Sequence, residues 1–419
     1  MRKLLLATII ALPATSFAGG YIIPNSNARD LALANSTVSA QDGGAEALFI
    51  NTSELAGEDG LNISVGGGLL MNRTTWSDPN LGSASLVPQY NTPPTIELSL
   101  GKTFQNDIAA ALGIGFDVPA GGALVWPNGW AGQEYIQSVD QKVYRMAVGG
   151  AIQLKYIKLG ASYVRYQATE ELHQALNFED HYGDGGLAMD GGANSFSAGL
   201  SIHVPNVPLV IGAQYNHSGT LDLKGNAHFT NVPPAFTSLL HDQDVSETLK
   251  IPNVLAVGAS YAVVPNIQLM FQYTFERWSQ YDKDAFVGAD GFTVTVDRHY
   301  NNAHVYRGGV EWIVSGLPEL TLRFGGLRSV SSQPKDLVSP SLTDGNSIAA
   351  SIGAGLNVTP TLRVDFGYQH AWFDDLHTTG TTTLPGSYST HVDILAVGIN
   401  FRTDLGMAPK ATVSAAQPE

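Results

Sequence analysis

Cysteine is absent from the 419 residues, which excludes disulfides, thiolate metal sites and a thiol nucleophile. Long apolar runs are missing too. No segment approaches the roughly 20 uninterrupted apolar residues that a membrane-spanning helix needs, so helical membrane proteins are excluded. Charge is sparse at 14% of residues, with 22 Lys and Arg against 37 Asp and Glu for a formal net charge of -15. So acidic a chain repels phosphate backbones, which argues against nucleic acid as a partner. The sequence also lacks His-Glu-x-x-His, a phosphate-cradling Gly-x-x-x-x-Gly-Lys and Gly-x-Ser-x-Gly. Its 11 His are scattered. No catalytic set, metal or cofactor is therefore expected, and without an ATP motif any transport is expected to be passive.

What is present points to strands. The chain carries 45 Gly, 16 Tyr and 16 Phe, a β-rich composition. Its opening, "MRKLLLATIIALPATSFAGG", has Arg2 and Lys3, an apolar run from Leu4 to Leu12, and Ser16 and Ala18 before Gly19. This predicts a bacterial secretory leader over 1–18, whose removal leaves 20 basic against 37 acidic residues, a charge of -17.

From Leu61 onward fourteen strands are predicted, near 61–72, 94–104, 107–118, 140–155, 158–170, 194–203, 208–223, 245–263, 266–278, 301–314, 319–330, 345–357, 361–373 and 387–401. Soluble strands run about five or six residues, whereas a tilted membrane strand needs about 9 to 11. Most of these are long enough to cross. In "TLRVDFGYQHAWF", Leu362, Val364, Phe366, Tyr368 and Trp372 share one face and Arg363, Asp365 and Gln369 the other. "IQLMFQYTFERW" separates Ile267, Leu269, Phe271, Tyr273 and Phe275 from Gln268, Gln272, Thr274 and Glu276 in the same way.

The connectors alternate between tight turns, such as "QND", "VPNVP" and "VTPT", and long loops at 73–93, 119–139, 171–193, 224–244, 279–300, 331–344 and 374–386. Short periplasmic turns and long extracellular loops mark an outer-membrane barrel, apolar toward lipid and polar within. A secreted β-sandwich does not account for that alternation, and no fixed repeat supports a propeller. The fold expected is all-β: a 14-stranded antiparallel transmembrane β-barrel over 61–401. The forty-odd residues 19–60 are too few for a core of their own, and they carry Leu31, Leu33, Leu48, Phe49, Ile50 and Leu55. They are expected to fill the lumen as an N-terminal plug. Residues 402–419, rich in Ala, Pro and Ser, read as a mobile periplasmic tail.

Several stretches resemble the FadL-type outer-membrane transporters of long-chain fatty acids and aromatic hydrocarbons. "DGGAEALFINTSELAG" resembles the family's plug motif, with Asn51 matching its Asn and Thr52-Ser53 standing where the family has Pro-Ala. "LKIPNVLAVGASYAVVPNIQLMFQYTFERWSQYD" matches through Pro252, Gly258, Tyr261, Trp278 and Ser279. "YRGGVEW", "LTLRFGGLRSVSSQP" and "SIGAGLNVTPTLRVDFGYQHAWFDD" continue the match in order. The resemblance implies a plugged barrel of fourteen strands, a monomer in outer-membrane lipid, and passive uptake of a hydrophobic small molecule.

It also implies site residues. The loop "FTNVPPAFTSLL" is unusually apolar for an extracellular loop. Exposed apolar patches tend to be binding sites, and the family would make Phe229, Val232, Phe236, Leu239 and Leu240 its capture groove. For a ligand carboxylate, Arg298 lies at the family's distance ahead of Tyr306-Arg307. Where the family has a second cation, at the end of the fifth strand, this chain reads Thr169, Glu170 and Glu171, and Arg165 is the nearest substitute. Gly113, Gly115, Pro119 and Gly121 weaken ladder pairing and permit a kink; in the family the third strand bends inward there and releases ligand sideways. Asn51 and Phe49 mark the plug. Three alternatives stand beside this reading: a polar-solute porin, which needs an open lumen; a lipid hydrolase, which needs a lipid-facing Ser and His; and an adhesin acting through its loops.

Overall fold

The computed structural model describes residues 21–23, 27–41, 44–57, 59–104, 107–217, 219–378 and 384–404. The expected leader at 1–18 and all but the first three residues of the expected tail lie outside them. Fourteen antiparallel crossings form the wall. They are β1 (Gly60–Asp78), β2 (Pro94–Thr103), β3 (Ile108–Val125), β4 (Ser138–Leu154), β5 (Ile157–Asn177) and β6 (Tyr182–His203). Next come β7, in two pieces (Leu209–Asn216 and Thr220–Thr230), and β8, also in two (Gln243–Lys250 and Asn253–Val264). The remainder are β9 (Ile267–Arg277), β10 (Ala303–Ile313), β11 (Leu320–Val330), β12 (Ser347–Thr359), β13 (Leu362–Phe373) and β14 (Gly386–Thr403). Pairing of β14 with β1, from Leu61 opposite Thr403 to Ser77 opposite Ser387, closes the barrel. Closure leaves no sheet edge in the bilayer, as hydrocarbon requires.

Alternation assigns the faces. On β13, Phe366 and Trp372 are 45% and 43% exposed, whereas Asp365 and Gln369 are each 1% exposed. The apolar face thus points outward and the polar face lines the lumen, the inverse of a soluble sheet.

Two differences from the sequence-based expectation concern the ladder. Several strands run past their expected ends on the extracellular side: β1 continues to Asp78, β3 to Val125 and β5 to Asn177, and β6 already begins at Tyr182. Above the bilayer both faces meet water, so the apolar alternation that betrays a strand fades there. β7 and β8, expected continuous, each come in two pieces, the first ending at Asn216 and resuming at Thr220 and the second broken at Ile251-Pro252. Pro252 cannot donate to the ladder.

The N-terminal segment occupies the lumen. A five-residue helix, α1 (Ala28–Ala32), starts at Asn27, whose side chain accepts from the Arg29 and Asp30 N–H groups. This satisfies two of the donors that a helix start leaves open. After it come α2 (Ala47–Ile50) and a 3-10 turn over Thr52–Gly57.

Candidate functional site

The plug is held to the wall at several separate points. Arg29 donates to both Glu311 oxygens at 2.9 and 3.0 Å, and Arg323 donates to Glu311 at 2.6 Å and to Asp365 at 2.7 Å. Across the lumen, Lys158 Nζ lies 2.6 Å from Glu54, with side chains 5% and 3% exposed, and His203 Nε2 is 3.8 Å from the same carboxylate. Burial favours a protonated Glu54, but the nearby His203 and the charge and hydrogen bond of Lys158 outweigh it and hold the carboxyl below its ordinary range. In α1 the balance reverses. Burial and the neighbouring Glu46 push Asp30 up to about 7, against the hydrogen bond that Thr37 donates to it.

Asn51 is a knot between plug and wall. Its amide donates to Val38 O at 2.7 Å and to Ser201 Oγ on β6 at 3.0 Å, and its Oδ1 accepts from Ser53. The Asn thus sets this turn by its own side chain although Thr52 and Ser53 replace Pro-Ala. Phe49 faces β3, with the Arg145 guanidinium 4.3 Å from its ring centre and Asp117 paired to that guanidinium.

The four β3 residues divide into two roles. Gly113 and Gly115 stay in regular ladders with β2 and β4 and produce no kink. They admit the plug: a Cβ at Gly115 would lie 2.8 Å from the Phe49 ring, and one at Gly113 would lie 3.3 Å from Leu55. The irregularity falls further along, where the β3–β4 register slips by one residue between Asp117 and Ala120, across Val118-Pro119. Gly121 follows at φ +122°, a backbone angle that side chains disfavour. Pairing with β2 ends at Phe116, opposite Ile96. Beyond it, Tyr21–Ile23 lie antiparallel against β3: the Ile23 N–H donates to Pro119 O, and the Gly121 N–H donates to Tyr21 O. A strap of N-terminal chain therefore covers the edge that the bulge exposes.

That strap reaches an aromatic cluster deeper in the lumen. The Tyr21 ring meets Trp278 edge-on at 5.1 Å, and its hydroxyl donates to Lys250 O. Trp278, Tyr281 and Tyr300 pack together at centroid distances of 5.1 to 5.9 Å. Beside them lies Arg298, 3% exposed, its Nε 2.6 Å from Asp284. Glu170 and Glu247 are within electrostatic reach of this pair. Among the described residues, both Glu247 oxygens, one Glu170 oxygen and one Asp284 oxygen accept no hydrogen bond. The neighbourhood of Arg298 is therefore acidic, which the expectation of a carboxylate receptor did not include. Asp284 and Glu247 went unnoticed in the sequence because a loop hairpin and an irregular strand bring them to Arg298.

Arg165 requires a correction. It lies on the outward face of β5 with Tyr163, donating to Asn194 at 3.1 Å, while Val164, Tyr166, Ala168 and Glu170 face the lumen. Period-two alternation puts the arginine on the wrong side for a lumen ligand.

The apolar loop packs on the top of β5. Leu240 is buried with Leu176 and Phe178, and Phe229, Val232 and Phe236 lie against them, with Phe236 5.4 Å from the Phe178 ring. Leu239 stands apart, 43% exposed.

A closed barrel with a lipid-facing apolar wall, a plugged polar lumen and a buried aromatic cluster defines an outer-membrane transport protein. The sequence pattern of the family described as outer membrane protein transport protein (OMPP1/FadL/TodX) matches residues 9–403, and the chain belongs to that family. Among solved structures it is similar to a Pseudomonas aeruginosa FadL homologue, at 16% identity and a TM-score of 0.81, covering 92% of this chain and 100% of that one. It is also similar to the P. putida toluene transporter TodX, at 16% identity and a TM-score of 0.72, covering 93% and 99%. The CymD monoaromatic hydrocarbon channel matches at 16% identity and a TM-score of 0.68, over 93% and 100%. At such identity the likeness is one of fold. No curated protein matches the sequence.

Proposed function

We propose that the protein takes up hydrophobic compounds passively. They are captured at the apolar loop, held in the lumen beside the Trp278, Tyr281 and Tyr300 cluster, and released sideways through the wall at β3. The observation that carries this reading is the strap. One short segment, Tyr21–Ile23, both covers the β3 edge beyond the bulge and packs its tyrosine into the aromatic cluster. A ligand that displaces Tyr21 from the cluster loosens the strap, and the wall opens where the β2 ladder has already ended.

Contact with apolar side chains supplies the driving force, about 0.8 kcal/mol for each methylene removed from water. The polar surroundings set the ligand class. Arg298 is engaged by Asp284, and the carboxyl groups of Glu170 and Glu247 crowd the same site. A ligand carboxylate would have to displace Asp284 from the arginine at a site already crowded by two further carboxyl groups, which supports a neutral hydrocarbon over a fatty acid; the relatives named for toluene and monoaromatic hydrocarbons agree. The seated plug supports a hydrophobic conduit over a polar-solute porin.

The test is binding of radiolabelled toluene and of a radiolabelled long-chain fatty acid to the purified protein at pH 7.5, with sugar-driven swelling of proteoliposomes alongside. Saturable toluene binding, fatty-acid binding at least tenfold weaker, and no swelling are expected. Tighter binding of the acid, abolished in Arg298→Ala, restores the carboxylate role for that arginine and refutes the neutral-ligand assignment. Swelling in sugar refutes the closed lumen.

A further inference from the structure

The outer surface of the barrel carries a polar cluster that uptake through the lumen does not use. Asp393 on β14 faces outward, its side chain 9% exposed. One carboxylate oxygen accepts from the Tyr368 hydroxyl at 2.8 Å and pairs with His370 Nδ1 at 2.7 Å, and the other lies 3.2 Å from Arg73 Nη2. The three partners come from the two flanking strands, β13 and β1. Register places His391 opposite Arg73 on one side and Trp372 on the other. His391 also stacks over His370 at 6.0 Å, and Trp372 meets that ring edge-on at 4.4 Å. Two strands further round at the same level, opposite Ile348, is the exposed Arg328.

The level of this cluster is informative. On β14 the outward positions Phe401, Ile399 and Val397 are 39%, 49% and 51% exposed, a lipid-facing belt that begins near the periplasmic turn. Asp393 lies eight residues beyond Phe401. At about 3.3 Å per residue along a strand tilted by about 40°, that is about 20 Å of height in an apolar band about 25 Å tall. The cluster therefore occupies the upper rim of the belt, where acyl chains meet headgroups on the extracellular side. Lipid-facing arginine is tolerated there and not at mid-bilayer. Tyr368 and Trp372 have the amphipathic rings suited to that depth.

Asp393 fixes the geometry of Tyr368 and His370, but one carboxylate does not use up the donors around it. The Arg73 side chain is 68% exposed, so most of its guanidinium fork points away from the wall, alongside His391. On a chain with a net charge of -15, a surface spot holding Arg73, His391 and Arg328 against Asp393 is a local inversion of charge. An arginine fork selects phosphate or carboxylate oxygens by paired hydrogen bonds. The apolar belt directly below requires that the same occupant carry acyl chains.

We propose that Arg73, His391 and Trp372, organised round Asp393, seat the phosphorylated headgroup of an acylated lipid of the outer leaflet, with Arg328 as a further contact along the rim.

The experiment is native mass spectrometry of the full-length protein in detergent, titrated with diphosphorylated lipid A, with its dephosphorylated form, and with inorganic phosphate. The diphosphorylated lipid is expected to stay bound. Arg73→Gln combined with His391→Gln should weaken it at least tenfold, Arg73→Lys should weaken it less, and toluene binding should be unchanged in each. Should the double variant not fold, judged by its migration in unboiled gels, Arg73→Gln alone at its exposed position must show the same direction. Equal retention of lipid by parent and variant overturns the proposal. So does equal binding of the dephosphorylated lipid, or inorganic phosphate binding as tightly as the lipid.

Discussion

Replacing Lys158 by alanine strands the Glu54 carboxylate at the plug–wall contact. The pair is nearly dry, with side chains 5% and 3% exposed, and its remaining neighbour, His203, stands 3.8 Å away. Removing one partner of a buried ion pair costs about 3–5 kcal/mol, because the other charge is left uncompensated. Here the cost falls on docking of the turn at Thr52–Gly57, since Glu54 can reach water only if that turn leaves the wall. At about 1.4 kcal/mol per factor of ten, its opening equilibrium should rise by about two to three and a half powers of ten. Hydrogen exchange followed by mass spectrometry over 47–57 reads this directly, with strand amides as an internal reference. Lys158→Met combined with Glu54→Gln removes both charges at similar volume and should recover most of the protection. Unchanged exchange in Lys158→Ala would refute the view that this pair latches the plug. So would equal loss in the double variant, which would assign the effect to packing.

Two further outcomes follow from the same interior. Gly115→Val forces side-chain atoms into the Phe49 ring, already 2.8 Å from an added Cβ. It should lower stability to urea by about 1–3 kcal/mol, whereas Gly308→Ala, with nothing nearer than 3.8 Å, should stay within about 0.5 kcal/mol of the parent. Asp30, raised from 3.8 to about 7, favours docking of α1 while protonated. Its contribution is complete below about pH 4 and is lost as pH rises through 7, an effect of up to about 4 kcal/mol. Asp30→Asn, whose amide oxygen can still accept from Thr37, should abolish that dependence in exchange measured over 27–41; a pH profile identical to the parent's would show that Asp30 is not the group responsible.

What was legible in the sequence follows from where its signal is generated. Strand existence and facing come from the contrast between lipid and lumen, so "TLRVDFGYQHAWF" announced both, and Asp365 and Gln369 are indeed buried while Phe366 and Trp372 face out. Above the bilayer the contrast vanishes. "YGDGGLAMDGG" reads as a loop yet pairs with β5 along its length. Arg165 differs, for the alternation that turns Tyr163 outward turns the arginine outward too, and its charge alone says nothing about its face. The partners of Arg298 had no local signal at all. Asp284 arrives from a loop hairpin and Glu247 from the outer piece of β8, so only the fold brings them together. The β3 glycines show the same limit: composition reveals tolerance of a close approach, but not whether a plug side chain or a kink makes use of it.

Lateral release requires the strap to leave β3 when ligand passes. Ile22 and Ala120 face each other as an antiparallel pair flanked by the two strap hydrogen bonds, a non-hydrogen-bonded position where Cα atoms approach to about 4.5 Å and a disulfide fits. Because the chain has no cysteine, Ile22→Cys with Ala120→Cys installs a single, reversible lock. Transfer of radiolabelled toluene into proteoliposomes should cease in the oxidised protein and return on reduction, with each single-cysteine variant active under both conditions. Transfer as fast through the oxidised lock as through the reduced protein would contradict lateral release at this strand.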